Sequence, residues 1–274
     1  MPKAFSVVSW NVEHFKQDRS RVDRVMGFVA AQNPDMLALY EVESKEVFAA
    51  VTAKFPGYTF QITEGAETQE ILVGVRSSLS AFFTQKLEFK SGTTSMRPGL
   101  LATVTVAGKG YCVLFLHLAS SNDPRGFGLR DDMAIRAIKF SKTLDAAAGG
   151  KANYLFLGDL NTMGLDYPYQ KAIDSLTELK KWDLRASQFY DMRRLTKTHD
   201  ASWSNGSGSS IPDSSLDHVY ASKHLKFTMF SRPDGAQAEV DVRGWTNQPN
   251  AAAKDQWIKD FSDHSLLYLE VQQV

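Results

Sequence analysis

The chain has 274 residues, 43% of them hydrophobic and 11% aromatic, which is enough to bury a substantial core. Lys plus Arg and Asp plus Glu both total 31, so no global field argues for nucleic acid or an anionic membrane, and only a local basic rim is left as a route to either. A single cysteine, Cys112, excludes a disulfide within the chain.

In chain order, the run Phe5 to Trp10 reads as a first strand and gives way to Asn11-Val12-Glu13-His14. Val22, Val25, Met26 and Val29 recur at helical steps until Asn33-Pro34. Met36 to Tyr40 is a second apolar strand, followed at once by Glu41; Val47, Phe48, Val51 and Phe55 mark a second helix closed by Pro56-Gly57. From Tyr58 to Leu116 the chain reads mostly as β, with runs at 58–62, 71–75, 100–106 and 111–116 and a hairpin turn at Gly108-Lys109-Gly110. Cys112 falls inside the last of these and reads as a buried structural thiol.

His117 ends that strand. Met133, Ala137, Phe140 and Leu144 share one face of a third helix, which Gly149-Gly150 terminates. Tyr154-Leu155-Phe156-Leu157 is apolar without alternation, as expected of a strand covered on both faces, and Gly158 lets the backbone turn into Asp159-Leu160-Asn161. A fourth helix is expected from about Pro168, with Ala172, Ile173, Leu176 and Leu179 turned inward. Residues 200–215 are rich in Ser, Gly and Asn and read as a loop before the strand that starts at Asp217. Residues 231–262 show little periodicity and read as a long loop, and Leu266 to Val271 closes the chain as a last strand. With no internal repeat and no linker, residues 1–274 are expected to form one domain.

Asn11, Glu41, His117 and Asp159 directly follow apolar strands, whereas Asp217 and the pair Asp263-His264 directly precede them. If the first four strands run up and the last two down, all six clusters share one rim. Asp159 and Asn161, two residues apart, would project to the same side. Carboxylate and carboxamide oxygens are hard ligands suited to Mg2+ or Mn2+, and a His-Asp pair can move a proton in phosphate-ester hydrolysis. No Gly-x-Ser-x-Gly, Walker A loop or zinc-type spacing competes.

These motifs, Ser9-Trp10-Asn11-Val12-Glu13, Tyr40-Glu41-Val42, His117-Leu118-Ala119-Ser120, Gly158-Asp159-Leu160-Asn161, Leu216-Asp217-His218-Val219 and Ser262-Asp263-His264-Ser265, resemble in order those of the endonuclease/exonuclease/phosphatase superfamily. The resemblance runs from Trp10 to Leu266 and implies an α/β fold, a four-layer α/β/β/α sandwich with two mixed, mainly antiparallel sheets. It also implies that Glu41 is the principal metal ligand, helped by Asn11, with Asp263 coordinating directly or through water. Asp159 and Asn161 would position the attacking water and the scissile phosphate. His264, oriented by Asp217, and His117 would contact the phosphate or move protons. Arg97 resembles an arginine that enters the phosphate site, and Trp203 falls where nucleases of the family carry an aromatic that packs on a base or sugar. Glu70 is near the place of a Glu that supports the first His, but one residue out of register, and is left outside the site.

Arg125, Arg130, Arg136, Arg193 and Arg194 flank these motifs, so a nucleic acid is the expected substrate, with a small or lipid-derived phosphoester as the alternative. The chain shows no apolar run near the ~20 residues of a membrane span. Its first residues lead straight into a strand and do not form a signal peptide, so a cytoplasmic monomer is expected.

Overall fold

The computed structural model describes residues 1–16, 18–65, 69–94 and 96–274. The elements in order are β1 (Lys3–Phe15), α1 (Arg19–Ala31), β2 (Met36–Val42), α2 (Lys45–Lys54), β3 (Tyr58–Ile62), β4 (Glu70–Arg76), β5 (Ser80–Lys86), β6 (Gly99–Val106), β7 (Lys109–His117) and α3 (Pro124–Ala148). There follow β8 (Asn153–Asp159), α4 (Ser175–Phe189), β9 (Met192–Arg194), β10 (Asp217–Ser222), β11 (Phe230–Ser231), β12 (Gln237–Ala238), β13 (Asp241–Arg243), α5 (Ala251–Asp260) and β14 (Leu266–Gln272).

Two six-stranded sheets result, ordered β13-β14-β1-β2-β4-β3 and β5-β6-β7-β8-β10-β9. Each has one parallel pair, β1 with β2 and β7 with β8, and is otherwise antiparallel. Alternation along the strands explains how they stack. Leu155 and Leu157 of β8 join Val7, Ala38, Val113 and Leu269 in the cluster between the sheets, whereas Tyr154 and Phe156 face Met133 of α3 and Trp182 of α4. On the other outer face, Trp10, Leu37 and Leu39 meet Val25 of α1, Val51 of α2 and Trp257 of α5. The β8 run is apolar without alternation because both of its faces are covered.

Both parallel pairs end at the same rim, and β10 and β14 start there, as the polar clusters anticipated. The register sets His117 beside Asp159 and Asp159 opposite Asp217. Three expectations need correction. The fourth helix begins at Ser175, where Asp174 accepts the Thr177 N–H, and Ile173 instead bridges Leu165; Leu176 is exposed, with Leu179 inward. Residues 231–262 are not a bare loop: they hold β11 to β13 and α5, capped by Asn250, whose Ala-rich first turn and single buried Trp257 gave no apolar period. Cys112 is half-buried, beside Thr103.

Arg130, expected among the rim cations, is buried completely. It pairs with the equally buried Glu178 at 2.8 Å and donates to the carbonyls of Ala119, Ser121 and Gly164. Glu178 also accepts the Gly164 N–H at 2.9 Å. One ion pair therefore fastens the loop after β7 to the loop after β8, the two loops that follow His117 and Asp159. Arg130→Met should leave Glu178 buried without its cation, a loss of about 3–5 kcal/mol, while Arg130→Met/Glu178→Met should recover only the part due to the uncompensated charge, since the loop carbonyls stay without their donor. Urea unfolding of both variants checks this; a loss below about 1 kcal/mol in the single variant would show that the pair does not close the loops.

Candidate active site

The rim is built by departures from regular strand geometry. Gly158 sits at φ +144°, and a Cβ there would lie 2.0 Å from the Leu116 carbonyl oxygen, so no side chain fits where β8 turns against β7. In β2, Leu39 pairs with Leu72 but Val42 pairs with Glu70, a bulge that puts Glu41 at φ +62°. Glu13, His14 and Asn161 are also left-handed, at φ +43°, +45° and +51°. Each such residue costs roughly 1–3 kcal/mol and persists only where contacts hold it. Here the strained turn after Asn11 donates the Glu13 N–H to Asn11 Oδ1 at 3.0 Å and the His14 N–H to Glu41 Oε2 at 2.8 Å. Asn161 donates its N–H to Asp159 Oδ1 at 3.0 Å and its amide to the Leu118 carbonyl at 3.1 Å.

A cavity of about 660 Å³ opens on this rim, lined by Glu41, Arg97, His117, Asp159, Asn161, Trp203, Asp263 and His264. Eight of the ten residues singled out from the sequence thus line one cavity. The other two back it: the Asn11 amide donates to Glu41 Oε1 at 3.0 Å and to Asp159 Oδ2 at 2.9 Å, and Asp217 Oδ2 lies 2.8 Å from His264 Nδ1. Asn11, expected as a metal ligand, accepts the Glu13 N–H on its own oxygen, and its amide lies between the two carboxylates. Asp263 Oδ2 accepts the Trp203 indole N–H at 2.6 Å, and Arg97 donates to Gln69. Glu70, left outside the site, bonds Thr63.

Three charges in this cavity are set by neighbours. Burial pushes the Asp159 carboxyl up, His264 opposes it, and Asp217 and Glu41 push further, to about 7. Burial alone would lower His264, but the Asp217 and Asp159 carboxylates overcome it and raise the imidazole to about 10. His117 is driven well below the ordinary range by burial, by Arg97 and by His264. It stays neutral, 3.6 Å from Asp159 and 3.8 Å from Glu41.

Sequence reasoning missed the supports behind these groups. Ser262 Oγ donates to the Asn11 carbonyl and accepts the His264 N–H, the Trp10 indole donates to the His264 carbonyl at 2.8 Å, and Ser202 Oγ accepts the Asp217 N–H at 3.0 Å. Ser262 and Trp10 lie inside the quoted motifs, but nothing in a serine's type reveals that it will be buried. Two groups of ligand-type atoms fall within 4.8 Å of one another: buried Asp159, Asp217 and His264, and the more open His14, Glu41 and Glu43.

Face-to-face mixed sheets carrying carboxylates and imidazoles at one rim define a phosphoester hydrolase of the DNase I-like class. The chain belongs to the Endonuclease/Exonuclease/phosphatase family, whose sequence model matches residues 8–264. Among solved structures, truncated Caenorhabditis elegans TDP2 is similar at TM-score 0.65 and 18% identity over 98% of each chain. D. rerio TDP2 complexed with a single-strand DNA product gives 0.63 and 16% over 98% of each. The human Nocturnin catalytic domain with bound sulfate gives 0.61 and 15%, over 98% of this chain and 93% of that one. No curated protein matches the sequence. The described helices include none long and apolar enough to cross a membrane.

A histidine raised by a carboxylate contributes stability that is complete below its unfolded value near 6.5 and is lost as pH rises through about 10. NMR titration should therefore find the His264 imidazolium persisting well above pH 7, and Asp217→Asn should bring its titration down. A His264 that titrates near 6.5 in the wild type would contradict this pairing.

Proposed function

We propose that the protein is a divalent-metal-dependent phosphodiesterase that hydrolyses nucleic acid at the rim cavity. The observation that carries this reading is the convergence of Glu41, Asp159, His117 and the His264–Asp217 pair on one cavity, from five strand ends.

The donor set fits a hard cation. Glu41 Oε1 and Asp159 Oδ2 are drawn together by one Asn11 amide, and two converging carboxylates with a neutral His beside them form a site of net negative charge. Glu41 would hold Mg2+ or Mn2+, with Asp159 next to it and Asp263 reaching it through water. When bound, the cation would neutralise the phosphoryl and leaving oxygens. Asp159 would take the proton from the attacking water as the new P–O bond forms and the leaving oxygen departs as an oxyanion. Asn161 is fixed beside Asp159 by two hydrogen bonds and orients the phosphate. The His264 imidazolium, held by Asp217, places its Nε2 3.7 Å from Asp159, where it faces the negative charge that develops on the phosphoryl group. Neutral His117 donates a hydrogen bond to the same oxygens, and Arg97 adds a positive charge from the β6 side.

Nucleic acid is favoured by the other wall. Met163, Trp203, Ile211, Pro212 and Leu216 give the cavity an apolar face suited to a base or sugar, and Trp203 is pinned by Asp263 with its ring on the wall. The solved D. rerio TDP2 carries a DNA product on a related fold. The basic residues expected to grip the strand do so less than anticipated: Arg130 is internal, Arg193 is paired with Glu239 and Arg194 with Asp183. The runner-up, a small or lipid-derived phosphoester, rests on the cavity alone. Residues 1–274 are taken as one domain and the protein as a monomer.

Chelation should abolish turnover and Mg2+ or Mn2+ should restore it; Glu41→Ala should resist rescue. Asp217→Ala and His264→Ala should each cost several powers of ten, and the double variant little more. Turnover that survives exhaustive chelation, or additive losses in the double variant, would overturn the metal site or the dyad respectively.

Substrate class is tested with plasmid, single-stranded DNA, RNA, inositol phosphates and a chromogenic diester. Trp203→Ala should weaken nucleic-acid binding by ~1–3 kcal/mol and spare the chromogenic diester. Equal losses on both would favour the small phosphoester.

A further inference from the structure

Beside the catalytic cavity lies a larger one, about 950 Å³ against about 660 Å³, which the reaction described above leaves unused. One wall is α4, presenting Leu176, Lys180 and Leu184, and the other is the stretch from Arg193 to Lys197. The two cavities adjoin: Ser175 lines both, and Ser215 of this one follows Ser214 of the catalytic one.

Its chemistry differs from that of its neighbour. Lys180, Arg193, Arg194, Lys197 and Arg232 face Asp183 and Asp200; counting Glu239, the partner of Arg193, and Asp234, a second partner of Arg232, leaves an excess of one positive charge, with Lys180 exposed on α4. Leu176 and Leu184 are 53% and 55% exposed, so the cationic floor has an apolar lip. Regularly spaced anions joined to flat, partly apolar bases match that combination.

We propose that this groove holds the single-stranded nucleic acid that flanks the scissile phosphate, the strand crossing between the cavities at Ser175 and Ser214-Ser215. The inference rests on the nucleic-acid reading above and adds to it a second subsite. The groove is also fastened to the catalytic dyad. Lys197 Nζ donates to Ser215 Oγ at 2.8 Å and to the Asp217 carbonyl at 2.9 Å, so the residue under the strand also fixes the backbone of the carboxylate that orients His264.

The test uses the full chain with Mg2+, single strands of increasing length, and a small chromogenic diester. Lys180→Glu and Leu184→Glu are chosen because both residues are exposed on α4 and away from the catalytic groups. For the wild type, kcat/KM should rise with strand length until the groove is filled. Each variant should raise KM for long strands with little change in kcat, and leave the diester unaffected. Lys180→Glu should also reduce the salt slope of long-strand binding by about 0.7, the value of one phosphate contact in single strands. Long-strand kinetics identical to wild type in both variants would remove the subsite and leave the nucleic-acid reading standing. Equal losses on strand and diester would show an effect on the catalytic site and overturn the proposal. A wild type that hydrolyses the diester and no strand of any length would remove both readings together.

Discussion

A carboxylate taken out of water costs several kcal/mol unless charge or hydrogen bonds replace its hydration, and Asp159 is almost wholly buried. The replacements come from across the chain: Asn11 from β1, Asn161 from the turn that follows, His264 from the start of β14 and His117 from the end of β7. These groups meet only if the two sheets stack face to face with their parallel pairs pointing the same way. The sandwich and the site are therefore one constraint, because an error in sheet order would leave Asp159 charged and unmatched.

The same constraint accounts for part of the backbone strain. Glu13, His14, Glu41 and Asn161 are non-glycine residues in left-handed conformations, and each lies at the rim or bonds a rim carboxylate. A regular strand alternates its side chains between faces; the bulge at Tyr40-Glu41 breaks that alternation. Tyr40 then points into the cluster between the sheets, where its hydroxyl reaches Ser9 and the Leu157 carbonyl, while Glu41 reaches the cavity. Of the strained segments, the turn that carries Asn161 is closed from behind by the Arg130–Glu178 pair, which bonds both backbone groups of Gly164.

What could be read in advance divides along the same physical line. Strands buried on both faces are continuous apolar runs, so β2, β7 and β8 and the polar residues at their ends were legible in the sequence, and with them the rim. Helix α5 and strand β5 were not, because α5 buries Trp257 alone and β5 leaves most of its residues partly or fully exposed. The charge of an arginine was legible but its surroundings were not. Arg130 follows the His117 motif at a spacing that suits substrate contact, yet position on α3 turns it inward to Glu178, a partner 48 residues away. Asn11 was legible as a rim residue, but its hydrogen bonds to Glu41, Asp159 and the Glu13 N–H were not, since sequence cannot say which end of an amide faces which neighbour.

The two active-site histidines show why identity alone does not give chemistry. His264 and His117 are both nearly inaccessible and both within 4 Å of Asp159, yet they are held in opposite charge states. His264 has Asp217 at 2.8 Å on Nδ1, a hydrogen bond that fixes the tautomer and compensates the imidazolium. His117 Nδ1 has no hydrogen-bond partner among the described residues, and the Arg97 and His264 charges oppose its protonation. A carboxylate behind one ring and none behind the other sets the two rings apart: His264 is held towards the imidazolium and His117 towards the neutral ring. His117 Nε2 faces the corner formed by Glu41 and Asp159, at 3.8 and 3.6 Å, and with no carboxylate behind its Nδ1 the ring adds no positive charge there.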